Sequence, residues 1–473
     1  MPLKTAYELA TERIIAPRFP KKDPEKKKTE FIKIPEFEDK EDKTVNVTGY
    51  SDKGKYAAET KLIENPEEER KKNEEQEKTI IKVKEPETIH IDDIMECHWN
   101  GQVYDFGGYA RLNRTMVFGL SDRNVKIKLE PEVFAVHVNK ATQDELKILE
   151  NNEISQNAPK VFGVTVPLNY INHVGKRILY TMIETSEKAH KDYIGKLNLC
   201  DEVWVASKYS QKVIQNSGLT VPSFVMPLGV DTNRYKPNNE TLKLGNTKEF
   251  KFVSVFRWSP RKGYDILLRA YLEEFSSEDD VSLVLASRAV ECPEEEGVQR
   301  IIDDFQNIKS NINKSEDKFP HVSLYTKPLS EKDMPKLYNS CHDFVLISLG
   351  EGFCLPIIES AACGLPIIAS NVTAQTDYLN DNNSYLVEPE GFIESKCNGN
   401  LSRMAKLCHF YEGQIFPNFG RESIEQTKNH MRYVFENHSK AKEKAEKLRK
   451  HIINNYTWDM AVNRVYNRLK EIN

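Results

Sequence analysis

Hydrophobic and polar positions divide this chain unevenly. Up to residue 88 apolar residues form only short islands, among them Phe31-Ile32-Lys33-Ile34 and Ile80–Val83, set in charged sequence. From Ile89 onward apolar runs alternate with stretches of helical spacing. The first half offers candidate strands at Val133–Val138, Val161–Val166, Arg177–Met182 and Glu202–Ala206. The second half offers Phe252–Phe256, Val281–Ala286, Val322–Tyr325, Phe344–Ser348, Pro366–Ala369 and Tyr385–Val387. Between them Leu112, Met116, Val117 and Leu120 recur at helical spacing, as do Ile266, Leu267, Leu268 and Ala270. Ser207 is placed to cap a helix that Gly218 ends. Residues 291–318 and 421–455 read as charged helix. Strands alternating with helices predict an α/β chain with mostly parallel sheets. Val225–Pro237, with Pro227 and Gly229, suits a stiff turn between two halves. The expected division is a charged extension over 1–88, domains over 89–238 and 239–455, and a last helix over 456–473.

The densest chemistry lies in DFVLISLGEGFCLPIIESAACGLPIIAS, residues 343–370. An apolar strand leads to the loop Leu349–Cys354, then to a helix with Pro356 near its start and Gly364 at its end. A second apolar strand follows, so this is a β-α-β unit. In open α/β sheets such a loop lies at the carboxyl ends of the strands, where ligands bind. Glu351 on the loop and Glu359 on the helix suit the hydroxyls of a sugar or ribose, since each carboxylate accepts several hydrogen bonds. They also suit a helix cap and a solvated face.

Cations stand at a second strand end. Arg257 follows Phe252–Phe256, and Lys262 comes five positions later. Arginine grips phosphate bidentately and lysine acts as a point charge, a pairing that suits a pyrophosphate clamp. Arg261 between them reads as extra and solvated. Gly107-Gly108 open a helix and let backbone approach a ligand, with Arg111 nearby; an ordinary tight turn is the alternative. Glu184, at a strand end, is a candidate catalytic group or a structural cap.

Composition narrows the class. The net charge of −5 leaves no footprint for nucleic acid. Residues 1–88 hold 20 Lys/Arg and 21 Asp/Glu, too polar to offset ordering entropy by burial. That composition fits a flexible arm, and its apolar islands leave a partner-docking role open. Asn46-Val-Thr48 matters as a glycosylation sequon only in a secreted protein. The eight cysteines show no Cys-x-x-Cys, which favours a reducing compartment. Cys97-His98, Cys341-His342 and Cys408-His409 make a poor zinc site, because neighbouring side chains diverge. No apolar run reaches the roughly 18 residues of a membrane span, and no signal-peptide core opens the chain. A cytoplasmic protein is the expectation.

Glu351 to Glu359, EGFCLPIIE with its flanks, resembles the Glu-x7-Glu motif of retaining family 4 (group 1) glycosyltransferases with the GT-B fold. FRWSPRKGYD around Arg257 and Lys262, VMPLGVDTNRYKP, ILYTMIETS and the terminal YTWD resemble further segments in the same order. The resemblance covers about residues 95–470. It implies two Rossmann-like domains facing a cleft, with the acceptor on the first and a nucleotide-sugar donor on the second. It implies that Arg257 and Lys262 neutralise the leaving nucleoside diphosphate and that Glu359 holds the ribose. Glu351 and the N–H groups of Gly352 and Phe353 would orient the donor sugar, within a loop that continues to Cys354 and Leu355. Gly107 and Gly108 would face donor phosphates or acceptor, and Lys327 and Pro328 the base. The histidine that family members often carry on the first domain is not placed; Thr165 stands where it is expected, and His173, close in sequence, suits an exposed loop equally well. No Asp-x-Asp occurs, so no metal cofactor is expected. The acceptor stays open among glycan, lipid and protein. A nucleotide-sugar epimerase of the same fold and a non-catalytic scaffold using the 1–88 arm are the rival readings.

Overall fold

A computed structural model describes residues 94–133, 136–164, 172–238, 240–289, 293–398, 401 and 411–472. The 1–88 arm, its islands and sequon, Thr165 and Cys408-His409 lie outside the described residues. Two parallel sheets, each with helices packed on it, make up the body.

The first sheet contains β1 (Glu96–Gln102), β2 (Lys126–Glu132), β3 (Lys160–Gly163), β4 (Arg177–Thr181), β5 (Glu202–Val205) and β6 (Ser223–Val225). Their order is β2-β1-β3-β4-β5-β6, all parallel. Helices α1 (Gly108–Ser121), α2 (Lys140–Glu150), α3 (Lys191–Leu197) and α4 (Lys208–Asn216) connect the strands. The second sheet contains β7 (Phe250–Arg257), β8 (Val281–Arg288), β9 (His321–Tyr325), β10 (Asp343–Leu346), β11 (Ile367–Ser370) and β12 (Tyr385–Val387). Its order is β12-β11-β10-β7-β8-β9, again parallel. Its helices are α5 (Tyr264–Glu274), α6 (Glu294–Ser310), α7 (Met334–Asn339) and α8 (Leu355–Ala362). A small antiparallel pair, β13 (Phe392–Glu394) and β14 (Ile415–Pro417), precedes α9 (Arg421–Glu436), α10 (His438–Asn455) and α11 (Trp458–Ile472).

Strand order fixes where ligands fit. In the first sheet the order reverses between β1 and β3; in the second it reverses between β7 and β10. Crevices open at the carboxyl ends of such switch points. The loop after β1 carries Gly107-Gly108. The loops after β7 and β10 carry Arg257–Lys262 and Glu351.

One expected strand is corrected. Val133–Val138 is not a strand where described; the strand is β2, one step earlier. Its residues KIKLEPE alternate between buried and open positions, because β2 is an edge strand. A search for unbroken apolar runs misses that pattern. The apolar run from Phe344 leaves the sheet after Leu346, and the 421–455 stretch breaks at Asn437 into two helices.

Two crossings join the halves side by side. Val230 bridges to Thr457, and Val230 N donates to Tyr456 O at 2.9 Å. A Cβ on Gly229 would lie 2.2 Å from the Thr457 carbonyl carbon, so only glycine fits this crossing. Beyond it α11 returns to the first sheet. Arg468 donates to the buried Glu202 Oε2 at 2.7 Å, while Trp204 Nε1 donates to Glu202 Oε1, also at 2.7 Å. A carboxylate inside a strand is tolerable only when paired in this way.

Candidate active site

The sequence places Glu351 where β10 gives way to α8. Ser348 and Gly350 turn the chain there, and Cys354 caps α8 with φ +70. Glu351 is 4% exposed. Lys262 Nζ donates to its Oε1 at 2.6 Å, and an Arg261 nitrogen lies 3.7 Å from the same oxygen. Burial alone would push this carboxyl up, but Lys262 and Arg261 outweigh it and hold the group below the usual carboxylate range. Its backbone N–H donates to Thr373 Oγ1 at 2.9 Å. Among the described residues the N–H groups of Gly352 and Phe353 donate no hydrogen bond, while the Phe353 carbonyl accepts from Tyr378 OH at 2.6 Å.

Glu184 joins this cluster from the first half. Its Oε1 pairs with Arg261 at 2.9 Å and its Oε2 accepts from Tyr411 OH at 2.5 Å. Arg261 also donates to the Gly350 carbonyl. It is therefore not solvated, as its sequence position suggested, but links both halves of the molecule. The two walls touch directly at the loop. A Cβ on Gly350 would lie 1.8 Å from the Glu184 carbonyl oxygen, and one on Gly352 would lie 2.5 Å from Met182 Cβ. The glycines of the motif are thus required by close approach.

Glu359 sits apart from Glu351, on the first turns of α8. It is 3% exposed. Arg111 of α1 pairs with Oε1, and Tyr338 OH donates to Oε2 at 3.1 Å. Burial pushes this carboxyl above its ordinary value; Arg111 and Tyr338 oppose that without reversing it. One turn along α1, Arg114 pairs at 3.1 Å with Glu331, in the loop after β9. Arg234 of the crossing pairs with the same carboxylate at 2.7 Å. Helix α1 is uncapped by any side chain: Gly107 starts it, and a Cβ on Gly108 would meet nothing within 4 Å.

The structure thus brings Glu184, Lys262, Glu351, Gly352 and Phe353 together, and sets Glu359 beside the helix that Gly107 and Gly108 open. Cys354 and Leu355 form the buried start of α8. Arg257 is exposed, and its guanidinium makes no hydrogen bond or ion pair among the described residues. Lys327 and Pro328 are exposed beyond β9, four and three positions before Glu331. Residues absent from the sequence reading also shape the site. Asp377 accepts from Lys208 N at 2.6 Å and Tyr209 N at 3.3 Å, capping α4 from the opposite half. Tyr338 and Tyr411 gave no local signal, because each acts through a partner distant in sequence. Arg261 was visible only as a neighbour of Lys262.

Comparison with known proteins bears on the fold and the family. Residues 247–397 match the family model described as Glycosyl transferases group 1. The chain is 40% identical over 57 residues to O-antigen chain mannosyltransferase B of Escherichia coli, covering 12% of this chain and 15% of that protein. It is 29% identical over 172 residues to a probable sucrose-phosphate synthase of Thermosipho melanesiensis, covering 34% and 35%. A GDP-mannose-dependent phosphatidylinositol monomannoside mannosyltransferase of Mycolicibacterium smegmatis is 24% identical over 234 residues, covering 44% and 57%. The matches thus span less than two thirds of each of these relatives. Among solved structures, Anabaena Alr3699/HepE in complex with UDP and glucose aligns over 80% of this chain and 100% of its own. Its TM-score is 0.55 and its identity 15%. Sucrose-phosphate synthase from Thermosynechococcus elongatus aligns over the same shares with a TM-score of 0.57 at 13% identity. The architecture is GT-B, and residues 247–397 are similar to the group 1 glycosyltransferases. Among the described residues no helix is long and apolar enough to cross a membrane.

Proposed function

We propose that this protein is a family 4 glycosyltransferase that moves a sugar from a nucleotide-sugar donor to an acceptor with retention of configuration. The observation that carries the reading is the β10–α8 unit. It presents two buried carboxylates, Glu351 and Glu359, at the second sheet's switch point, facing the first sheet. Glu359 takes the ribose hydroxyls. Glu351, with the unpaired N–H groups of Gly352 and Phe353, takes the donor sugar. Arg257 offers an unpaired guanidinium to the diphosphate, and Lys262 keeps two of its three donors beyond the one spent on Glu351. Charge building on the leaving phosphate is then stabilised by these two cations, and the leaving phosphate helps deprotonate the acceptor on the same face. Catalysis rests on positioning and charge stabilisation. Glu184 has its carboxylate committed to Arg261 and Tyr411, which favours positioning of that arginine over a direct chemical role. The 1–88 arm is dispensable to this chemistry.

A thermal-shift screen of UDP-, GDP- and ADP-sugars tests the reading, because a ligand that binds the native state raises its apparent stability. The stabilising donor should then be consumed in the presence of excess chelator, with label passing to an acceptor. Donor isomerised without any acceptor would identify the epimerase instead. Loss of turnover in chelator, restored only by Mg²⁺ or Mn²⁺, would contradict the metal-free mechanism. No stabilisation by any donor would favour the scaffold.

A further inference from the structure

Both carboxylates proposed for the donor are internally satisfied in this structure, but by different means. Lys262 and Arg261, which hold Glu351, belong to its own half of the molecule. Arg111, which holds Glu359, comes from the first half, on the opening turns of α1. Its guanidinium and the Tyr338 hydroxyl take both oxygens of a carboxylate that is 4% exposed in its side chain. Arg114, on the same helix, holds Glu331 in the loop after β9 and is itself fixed by donating to the Val103 carbonyl at 2.7 Å. One helix of the first half thus grips both the proposed ribose carboxylate and the loop beside the proposed base position. At the same level Met182 and Glu184 press on Gly352 and Gly350.

We infer that Arg111 is an exchangeable latch on the donor site. It stands in for the ribose hydroxyls at Glu359, holds the two halves together, and gives way when a nucleoside takes its place. The inference rests on the donor reading above for the identity of the incoming group. A donor binds only the unlatched form, so its apparent affinity is reduced by the fraction of molecules that are unlatched. Weakening the latch therefore tightens nucleotide binding, the opposite of what loss of a ligand-contacting arginine does.

The test compares the full-length wild type with Arg111→Met and with Arg111→Lys, which retains the charge without the planar fork. UDP and GDP binding is titrated by calorimetry, and hydrogen exchange is followed at 182–186 and 349–354. The latch predicts faster exchange in both segments for Arg111→Met and a nucleotide Kd lower by about fivefold or more. Arg111→Lys should fall between Met and wild type, and it carries the test if Arg111→Met does not fold. Glu359→Gln should weaken nucleotide binding in either background. Unchanged exchange with equal or weaker nucleotide binding by the Arg111 variants overturns the latch and leaves the donor reading standing. Faster exchange with no nucleotide bound by any variant supports the latch and overturns the donor reading.

Discussion

Glu351 and Glu359 stand on one loop-and-helix unit and are buried almost equally, yet their carboxyls are displaced in opposite directions. Glu351 is depressed because two cations of its own half, Lys262 and Arg261, outweigh the cost of burial. Glu359 is raised because burial outweighs the single guanidinium that the other half supplies. Depth alone therefore does not decide the state of a buried acid; the number and origin of its cations do. The comparison also separates roles. Both cations that hold Glu351 come from its own half, although Arg261 also pairs with Glu184 of the other half. The Glu359 pocket is complete only while α1 stays docked.

Removing the nearer cation from the Glu351 pocket should have the largest effect. Lys262→Met leaves Glu351 buried beside a more distant arginine, and breaking such a pair costs on the order of 3–5 kcal/mol. Chemical denaturation should show that loss. A loss near zero would mean that Arg261 suffices. Arg257→Ala, at an exposed position unpaired among the described residues, should change stability by less than about 0.5 kcal/mol while lowering turnover, because its proposed partner is the leaving phosphate.

The opposite displacements give opposite pH dependence. Glu351, held below its ordinary value of 4.5, contributes stability above that value and loses it as pH falls through the folded-state value. Glu359 is held above 4.5, so its contribution is complete below that value and is lost as pH rises through the folded-state value. Glu359→Gln should therefore flatten the stability profile on its neutral side, and Glu351→Gln on its acid side. Denaturation midpoints between about pH 4 and about pH 8 check this. The same slope for both variants would contradict the comparison. His342 and His438 act on the acid side as well. Burial pushes each from 6.5 down to about 4, so stability falls as pH drops through that window, and His438→Leu should shrink the fall.

The smallest expected effect is that of the charged extension. A chain beginning at Ile89 should keep nucleotide affinity within a factor of ten, about 1.4 kcal/mol. A larger loss in a folded protein would make residues 1–88 part of the site.

What the sequence made legible follows the same division. Strands buried on both faces, such as β7 and β10, announced themselves as apolar runs, and the motif around Glu351 lies within one β-α-β unit. The edge strand β2 was misplaced because its one open face breaks the run. Gly350 and Gly352 read only as part of the Leu349–Cys354 loop, but their requirement is set by Glu184 and Met182, far earlier in the chain. The pairings of Arg111 with Glu359 and of Arg261 with Glu184 were illegible for the same reason. Each joins residues whose proximity exists only after the two sheets have folded and met.

The central claim is that Glu359 binds the unchanging ribose while Glu351 binds the sugar whose bond breaks. Steady-state kinetics of Glu359→Gln and Glu351→Gln, with the donor found by thermal shift and saturating acceptor, tests it most directly. Each lost charged hydrogen bond should cost roughly 1.5–3 kcal/mol. For Glu359→Gln the cost should appear mainly as a raised donor KM, as loss of uniform binding does. For Glu351→Gln it should appear mainly as a lowered kcat, because its hydrogen bonds strengthen in the transition state. If Glu359→Gln abolishes kcat while Glu351→Gln leaves it intact, the two roles are reversed; if neither changes turnover or KM, the donor lies elsewhere.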